Sequence, residues 1–460
     1  MLGGGTFTSQ NKVLPGAYYN VISASRANQA SNVRGIVAIP LELDWGPDET
    51  VFLVTKEEVE KTAKSLFGYE YSSPEMVWLR EVFKNSSQLY GYKLNKGVKA
   101  ENDMATAKYT GIRGNDIKIS IQENPDSEPE GKLYDVTTYL DNVVCDTQTV
   151  KTKEELKSND LVDFKSDIVL SNTVATALSN GSNGGGITGT EHQKFLAKIE
   201  SYSFNAMGAP VTDEETKRLY IAFTKRMRDE IGVKFQTVLY QASNADYEGI
   251  VSMENEVEVD DAEHAFIYQT DLLGNREKVS ISSCKNMALI YWITGAIAGC
   301  NINESNTNKT YDGEFTVKVD YTQTQLEDAI LSGKFMLHNV SGEVRVLTDI
   351  NTFLSYTEKK NEDFGSNQTI RVLDQDAIET GSLFNNYYLG KIQNDQNGRI
   401  SLQSDLVSIS EEMQSMRAIE NFTSEDITVE QGQGKKSVVV TKALQPVNCM
   451  EKLYTTVTVI

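Results

Sequence analysis

Residues 34–44, Arg-Gly-Ile-Val-Ala-Ile-Pro-Leu-Glu-Leu-Asp, make a nearly continuous apolar run. A strand with one solvated face alternates apolar and polar side chains, so an unbroken run is the pattern of a strand covered on both faces. Layers above and below it are then required, and the chain that follows supplies helices. Thr55 and Glu58 predict a capping box opening a helix to about Gly68. Ser73-Pro74 opens a second helix with Val82 and Phe83 inward, and Gln88–Leu94 reads as another strand. Strand, helix, helix and strand over 34–94 form a compact α/β unit.

The character changes near Gly97. From Ala107 to Leu178 the signals are short β runs, such as Ile117–Ile121 and Tyr134–Leu140, with little helix beyond Lys153–Leu156. Strands at that spacing predict a small all-β domain. It ends in Ser179-NGSNGGGITGT-Glu191, which reads as a flexible linker. Thr212 and Glu215 then predict a second capping box. The helix they open carries Leu219, Phe223, Met227 and Ile231 on one stripe and stops at Gly232, and a strand follows over Val233–Tyr240.

Met287–Cys300 is the longest uncharged apolar stretch; it is too short to span a bilayer and reads as a buried helix. Its Gly295 and Gly299 permit close helix packing. A helix over Thr322–Leu331 and a hairpin turning at Ser341-Gly342 continue the layered α/β pattern. Two long helices, about 369–388 and 400–420, precede β segments at Ile427–Glu430, Ser437–Thr441 and Leu453–Ile460.

At 460 residues a prior of about three domains is reasonable. The formal charge of −21 leaves no cationic footprint with which to displace counterions from a nucleic acid. The same charge means that an ordered polymer of this chain must overcome repulsion with specific contacts. Cys145, Cys284, Cys300 and Cys449 are scattered without CxxC spacing, which fits free thiols in a reducing compartment. Residues 1–12 are small and polar rather than basic-then-apolar, so the expectation is cytoplasmic synthesis without a secretory signal.

Chemistry-bearing patterns are sparse. The histidines are His192, His264 and His338; no GxSxG or HExxH accompanies them, and no two have metal-ligand spacing. Gly184–Gly189 matches GxGxxG, yet no clear strand leads into it and no Walker lysine follows, so the linker reading is preferred to a dinucleotide site. No catalytic, cofactor-binding or metal residue is predicted. The one cationic concentration is Lys217, Arg218, Lys225, Arg226 and Arg228, placed on the exposed side of the helix at 213–231. Intrahelical pairing with Asp213, Glu214 and Glu215 accounts for part of it, and a contact surface for an acidic neighbour is the alternative.

Both chain ends read as strands. At the front, a flexible start over 1–14 leads through Pro15-Gly16 into Ala17–Ile22. At the back, Leu453, Thr455, Val457 and Val459 fall on one face, with Tyr454, Thr456, Thr458 and Ile460 on the other. Neither charge nor proline guards that last segment. Pattern alone leaves two readings open: burial within its own domain, or donation to a neighbour's sheet.

PGAYYNVISA (15–24), RGIVAIPLELDWGP (34–47), LYGYKLNKGVKA (89–100) and KYTGIRGNDIKI (108–119) together resemble contractile-tail sheath proteins of phages of Gram-positive hosts. So do KRMRDEIGVKFQTVLY (225–240), GEVRVLTDINTF (342–353), SNQTIRVLD (366–374) and PVNCMEKLYTTVTV (446–459), in the family's order along nearly the whole chain.

The resemblance implies an α/β multidomain protein. It has an N-terminal arm (1–24), an α/β part of the core (25–96), a β-sandwich (97–180) and a Gly-rich linker (181–190). A subtilisin-like α/β domain without a protease site (191–350), an α+β C-terminal sheath domain (351–445) and a C-terminal arm (446–460) follow. It implies strand exchange between subunits through Tyr18, Tyr19, Asn20, Val21 and Ile22, and through Leu453, Tyr454, Thr455, Thr456, Val457, Thr458 and Val459. The basic helix is then a candidate tube or ring contact. The implied partners are further copies in stacked hexameric rings, a tail tube protein, and baseplate and tail terminator proteins, with no nucleic acid or membrane insertion. The implied location is the virion tail, with assembly in the host cytoplasm. A tail-like bacteriocin or other injection device, a non-contractile surface-layer protein, and a subtilisin-fold hydrolase or nucleotide-driven motor are the competing readings.

Overall fold

The structure, a computed structural model, describes residues 34–128, 131–258 and 287–459, together with the backbone of four short strands outside those ranges. Two of these, β1 (Gly3–Gly5) and β2 (Gly16–Tyr18), pair in parallel. Tyr19 to Ile22, His264, Cys284 and Ile460 lie outside the described residues.

The apolar run at 34–44 becomes β3 (Ile36–Leu41), buried at every position but its first. The run predicts cover on both faces, and the strand has it. After β3 come β4 (Val51–Thr55), α1 (Val59–Phe67), α2 (Val77–Asn85) and β5 (Gln88–Lys93). β4 was hidden in the sequence because its end, Thr55, reads as a helix cap. In fact Thr55 closes the strand and α1 starts without a side-chain cap, although Gly68 ends it in the left-handed region at φ 78° as expected.

The inserted β region contains β6 (Lys99–Glu101), β7 (Ala105–Thr110), β8 (Ile117–Glu123), β9 (Tyr134–Leu140), β10 (Val143–Val150), β11 (Val162–Phe164) and β12 (Thr176–Ala177). They form two sheets, ordered β10-β9-β8-β12 and β11-β7-β6, around a core of Ile117, Ile119, Val136, Val162 and their neighbours. Arg113 ties this body to the core: it donates to Gly68 O at 2.9 Å and to Asp116 at 2.8 Å, pairs with Asp141, and lies over the Tyr69 ring.

The glycine-rich return is not a flexible linker. Ser182 pairs with Val98, Asn183 is buried, and a Cβ on Gly184 would lie 1.9 Å from Lys96 O. A Cβ on Gly97, in the outgoing crossing, would lie 1.6 Å from Ser182 O. The two crossings therefore press backbone against backbone, and glycine is there for contact rather than freedom. The segment ends in a capping box between Thr188 and Glu191, which starts α3 (Gly189–Ile199).

Then come β13 (Ala206–Gly208), α4 (Glu214–Lys225), β14 (Gln236–Tyr240), β15 (Ile250–Met253) and β16 (Val257–Glu258). The cap of α4 falls one residue after the predicted box: Asp213 accepts from Thr216 N at 2.8 Å. The backbone of β17 (Phe266–Thr270) and β18 (Arg276–Ser280) forms an antiparallel pair. α5 (Ala288–Gly299), β19 (Thr316–Val317), α6 (Gln323–Leu331) and β20 (Lys334–Phe335) follow. The central sheet is ordered β20-β15-β14-β13-β3-β5-β4, with only β4 antiparallel to its neighbour. α2 and α5 pack on one face, α3 and α4 on the other. The expected glycine packing is present, since Cβ atoms at Gly295 and Gly299 would sit 2.6 Å from Val82 O and 1.9 Å from Asn85 O of α2.

β21 (Leu337–Val340) and β22 (Glu343–Val346) make the predicted hairpin, with Ser341 and Gly342 at φ 54° and 92° in its two-residue turn. The C-terminal body holds α7 (Asn367–Leu383), α8 (Gln396–Ser415) and the hairpin β23 (Ile427–Gln431) with β24 (Val438–Lys442). Leu402, Leu406, Ile409, Met413 and Ile427 form its core.

Candidate assembly interface

The last described residues, Leu453–Val459, keep the alternating strand pattern but form no strand in the single chain. Leu453, Tyr454, Val457 and Val459 are 80–92% exposed, so self-burial is not what the isolated subunit does with them. A fully solvated apolar segment is unfavourable by roughly 25 cal/mol per Å² that a partner would cover. Extended, it would span about 23 Å at roughly 3.3 Å per residue.

β23 and β24 form a two-stranded sheet, with Val439 half-exposed and exposed positions alternating along β24. A lone hairpin is marginal in water, and its unpaired edges template further strands. Strand addition would require an extended segment of this kind and an open sheet edge to receive it.

The basic group on α4 departs from its predicted setting. Lys217 and Arg228 are buried rather than exposed. Lys217 Nζ binds Glu214 at 2.8 Å, the intrahelical pair foreseen in the sequence. Arg228 grips Asp374 of α7 with two bonds at 2.7 and 2.8 Å and also donates to Phe235 O. Arg226 pairs with Glu200, just past the end of α3, and Lys225 donates to Ala245 O and faces the Tyr247 ring. Arg218 alone among the five is exposed. The continuation of α4 into a wider turn at Arg226–Ile231 rotates Arg228 inward, which a uniform helical projection cannot foresee.

Enzymatic chemistry finds no support among the described residues. His192 Nδ1 lies 2.7 Å from the Tyr220 hydroxyl, and burial pushes its pKa down to about 4. His338 is also lowered by burial, on β21. A cavity of about 320 Å³ opens beyond the carboxyl ends of β3, β5 and β13, where open α/β sheets bind ligands. His192, Thr212 and Asp213 reach it, and the carboxylates of Glu42, Asp44 and Glu75 also line it. The first turn of α3, where a dinucleotide phosphate would sit, is filled by Glu191 accepting from Thr188 N at 2.9 Å. No group of acidic, histidine or cysteine side chains could hold a metal among the described residues, and no described helix is long and apolar enough to cross a membrane.

Four family models match in succession. They are the N-terminal region of domain III of the tail sheath protein Gp18 (34–94), the phage tail sheath β-sandwich domain (95–183), the central domain (185–352) and the C-terminal domain (359–460). The phage-like element PBSX protein XkdK of Bacillus subtilis is 30% identical over 98% of this chain and 99% of its own length. Among solved structures, the sheath tail protein of Desulfitobacterium hafniense matches at TM-score 0.78 with 32% identity, over 96% of this chain and 99% of that one. A sheath tail protein of Listeria innocua matches at 0.75 with 29% identity, over 92% and 94%. The contracted helical sheath of the anti-feeding prophage shares the fold at 0.53 with 11% identity, over 97% and 99%.

Proposed function

This chain belongs to the phage tail sheath family of structural proteins, and from that premise we propose that it is the polymerising subunit of a contractile tail. Copies stack as hexameric rings around a tail tube, held extended and metastable. A signal from the baseplate lets the rings compact and drives the tube through the host envelope. The partners are other copies, the tube, the baseplate and a terminator that ends the polymer. The particle is assembled in the host cytoplasm and works as part of the virion tail. The subtilisin-like description of the core concerns only its layered α/β topology.

One observation carries this reading: Leu453–Val459 is an exposed strand sequence with no strand partner of its own. Donated to a neighbour's sheet, it gains main-chain hydrogen bonds and covers its apolar side chains. Strand exchange keeps rings joined while side-chain contacts between them break and re-form, as a transition between two packings requires. Tyr18–Ile22 is proposed as the matching arm at the other end, and Arg218 remains the exposed member of the basic group for a tube or ring contact.

Negative-stain microscopy of the purified full chain tests the proposal, with hollow tubes of stacked rings as the expected result. Deleting residues 453–460 should leave a folded subunit that forms no tubes. Unfolding of that truncated chain would place the strand inside its own domain, and strictly monomeric full-length protein at high concentration would argue against a sheath.

A further inference from the structure

The first residues of the 446–460 arm are held closely, unlike its end. Val447 N donates to Ala418 O at 2.9 Å, and Glu420 N donates to Gln445 O at 3.0 Å. Gln368, buried in the first turn of α7, takes over from there. Its Oε1 accepts from Cys449 N at 2.9 Å and its Nε2 donates to Val447 O at 3.2 Å. One carboxamide thus makes the pair of bonds that a residue of a parallel strand would make on either side of Asn448. Thr369 Oγ1 lies 3.2 and 3.1 Å from Asn448 Oδ1 and Nδ2. Three residues on, the Glu451 carboxylate accepts from Thr307 Oγ1 at 2.6 Å and from Thr348 Oγ1 at 3.2 Å. From Lys452 to Val459 every residue is exposed.

The start of α7 that holds the root is itself fastened to the central layers. Asn367 donates to Asp349 at 2.9 Å and accepts from Gln236 of β14 at 2.7 Å. Arg371 meets Asp349 at 2.8 Å with both side chains 1% exposed. The root therefore sits on the seam between the central sheet and the C-terminal body.

We propose that Gln368, with Thr369 and Glu451, is a positioning clamp that fixes the direction in which the arm leaves the subunit. The proposal rests on the arm-donation reading. A tethered strand must find one edge in one orientation, and holding its root removes much of the freedom that binding would otherwise have to freeze. Because the clamp stands on α7, a pull on the arm passes through Arg371–Asp349 and Arg228–Asp374 into the central layers instead of peeling the β23–β24 hairpin. Lys452 is the pivot.

Full-length Gln368→Ala and Glu451→Ala are compared with the wild type and with the chain lacking 453–460. The readouts are hydrogen exchange at the Cys449 amide and the critical concentration for tubes, by light scattering with microscopy. Gln368→Ala should lose protection at Cys449, keep its melting temperature within a few degrees, and raise the critical concentration about tenfold. Glu451→Ala should raise it in the same direction. If both variants assemble at the wild-type concentration while the truncated chain does not, the clamp is overturned and the arm reading stands. If the truncated chain assembles like the wild type, the arm reading falls and the clamp with it. Should Gln368→Ala fail to fold, the exposed Glu451 side chain decides by the same comparison.

Discussion

Glu81 on α2 is fully buried, yet it is an acid. Its carboxylate accepts from the Tyr311 hydroxyl at 2.9 Å and from Glu314 N, pinning the 311–314 loop to the helix. Burial outweighs both bonds and pushes its pKa up to about 7. The sign follows from linkage: the folded state holds its proton more tightly than the unfolded chain. The stabilisation is complete below about 4.5 and lost as the pH rises through about 7. Glu81→Gln copies the protonated form, accepting from Glu314 N and donating to Tyr311. The unfolding stability of the wild type should fall relative to this variant between pH 5 and 8 by on the order of 2–3 kcal/mol, read from denaturant midpoints at each pH. Parallel pH profiles for the two proteins would show that Glu81 does not titrate in that window. Nothing in the sequence singled out Glu81, because its burial depends on a loop more than 200 positions away. Arg228 was misplaced for a related reason, since its partner Asp374 lies in another helix 146 positions on.

At the scale of elements, glycine separates what patterning can and cannot read. Gly295 and Gly299 lie on an apolar helix, and their spacing alone predicts close packing, which α2 provides. Gly97, Gly111 and Gly184 carry no such spacing. Of the three only Gly184 falls in the segment that reads as a linker, and what all three fit is backbone from a distant part of the chain: a Cβ on Gly111 would stand 1.8 Å from Asp44 O. β3, the core helices and the Ser341-Gly342 turn were legible because their signals are local and periodic. Close crossings of distant segments leave no period. A contrast within the segment tests this account. Gly184 has φ 80° and a Cβ position 1.9 Å from Lys96 O, whereas a Cβ on Gly185 would meet nothing within 4 Å. Gly184→Ala should cost about 1–3 kcal/mol or more, read as a lower denaturation midpoint. Gly185→Ala should be neutral or slightly stabilising, because it restricts the unfolded chain. No loss at either position would restore the flexible-linker view.

For the whole molecule, the question the proposed polymer raises is how a chain of formal charge −21 would join copies of itself. Many of its cations are engaged within the subunit. Arg113 holds the β-sandwich, Arg226 and Lys217 are paired along α3 and α4, and Arg228 and Arg371 fasten α7 to the central layers. Those pairs lock the bodies together and leave the outer surface all the more anionic. In the proposed polymer, attraction between copies falls to main-chain pairing and apolar cover through the arm, while long-range electrostatics opposes assembly. Salt should therefore help. The Debye length shrinks to about 10 Å at 0.1 M, which screens repulsion between facing surfaces but barely touches hydrogen bonds within a shared sheet. The critical concentration for tube formation should fall several-fold between about 20 and 300 mM sodium chloride, as read by light scattering. A critical concentration that instead rises with salt would mean that ion pairs between subunits dominate the lattice. That result would shift weight from the arm toward exposed cations such as Arg218.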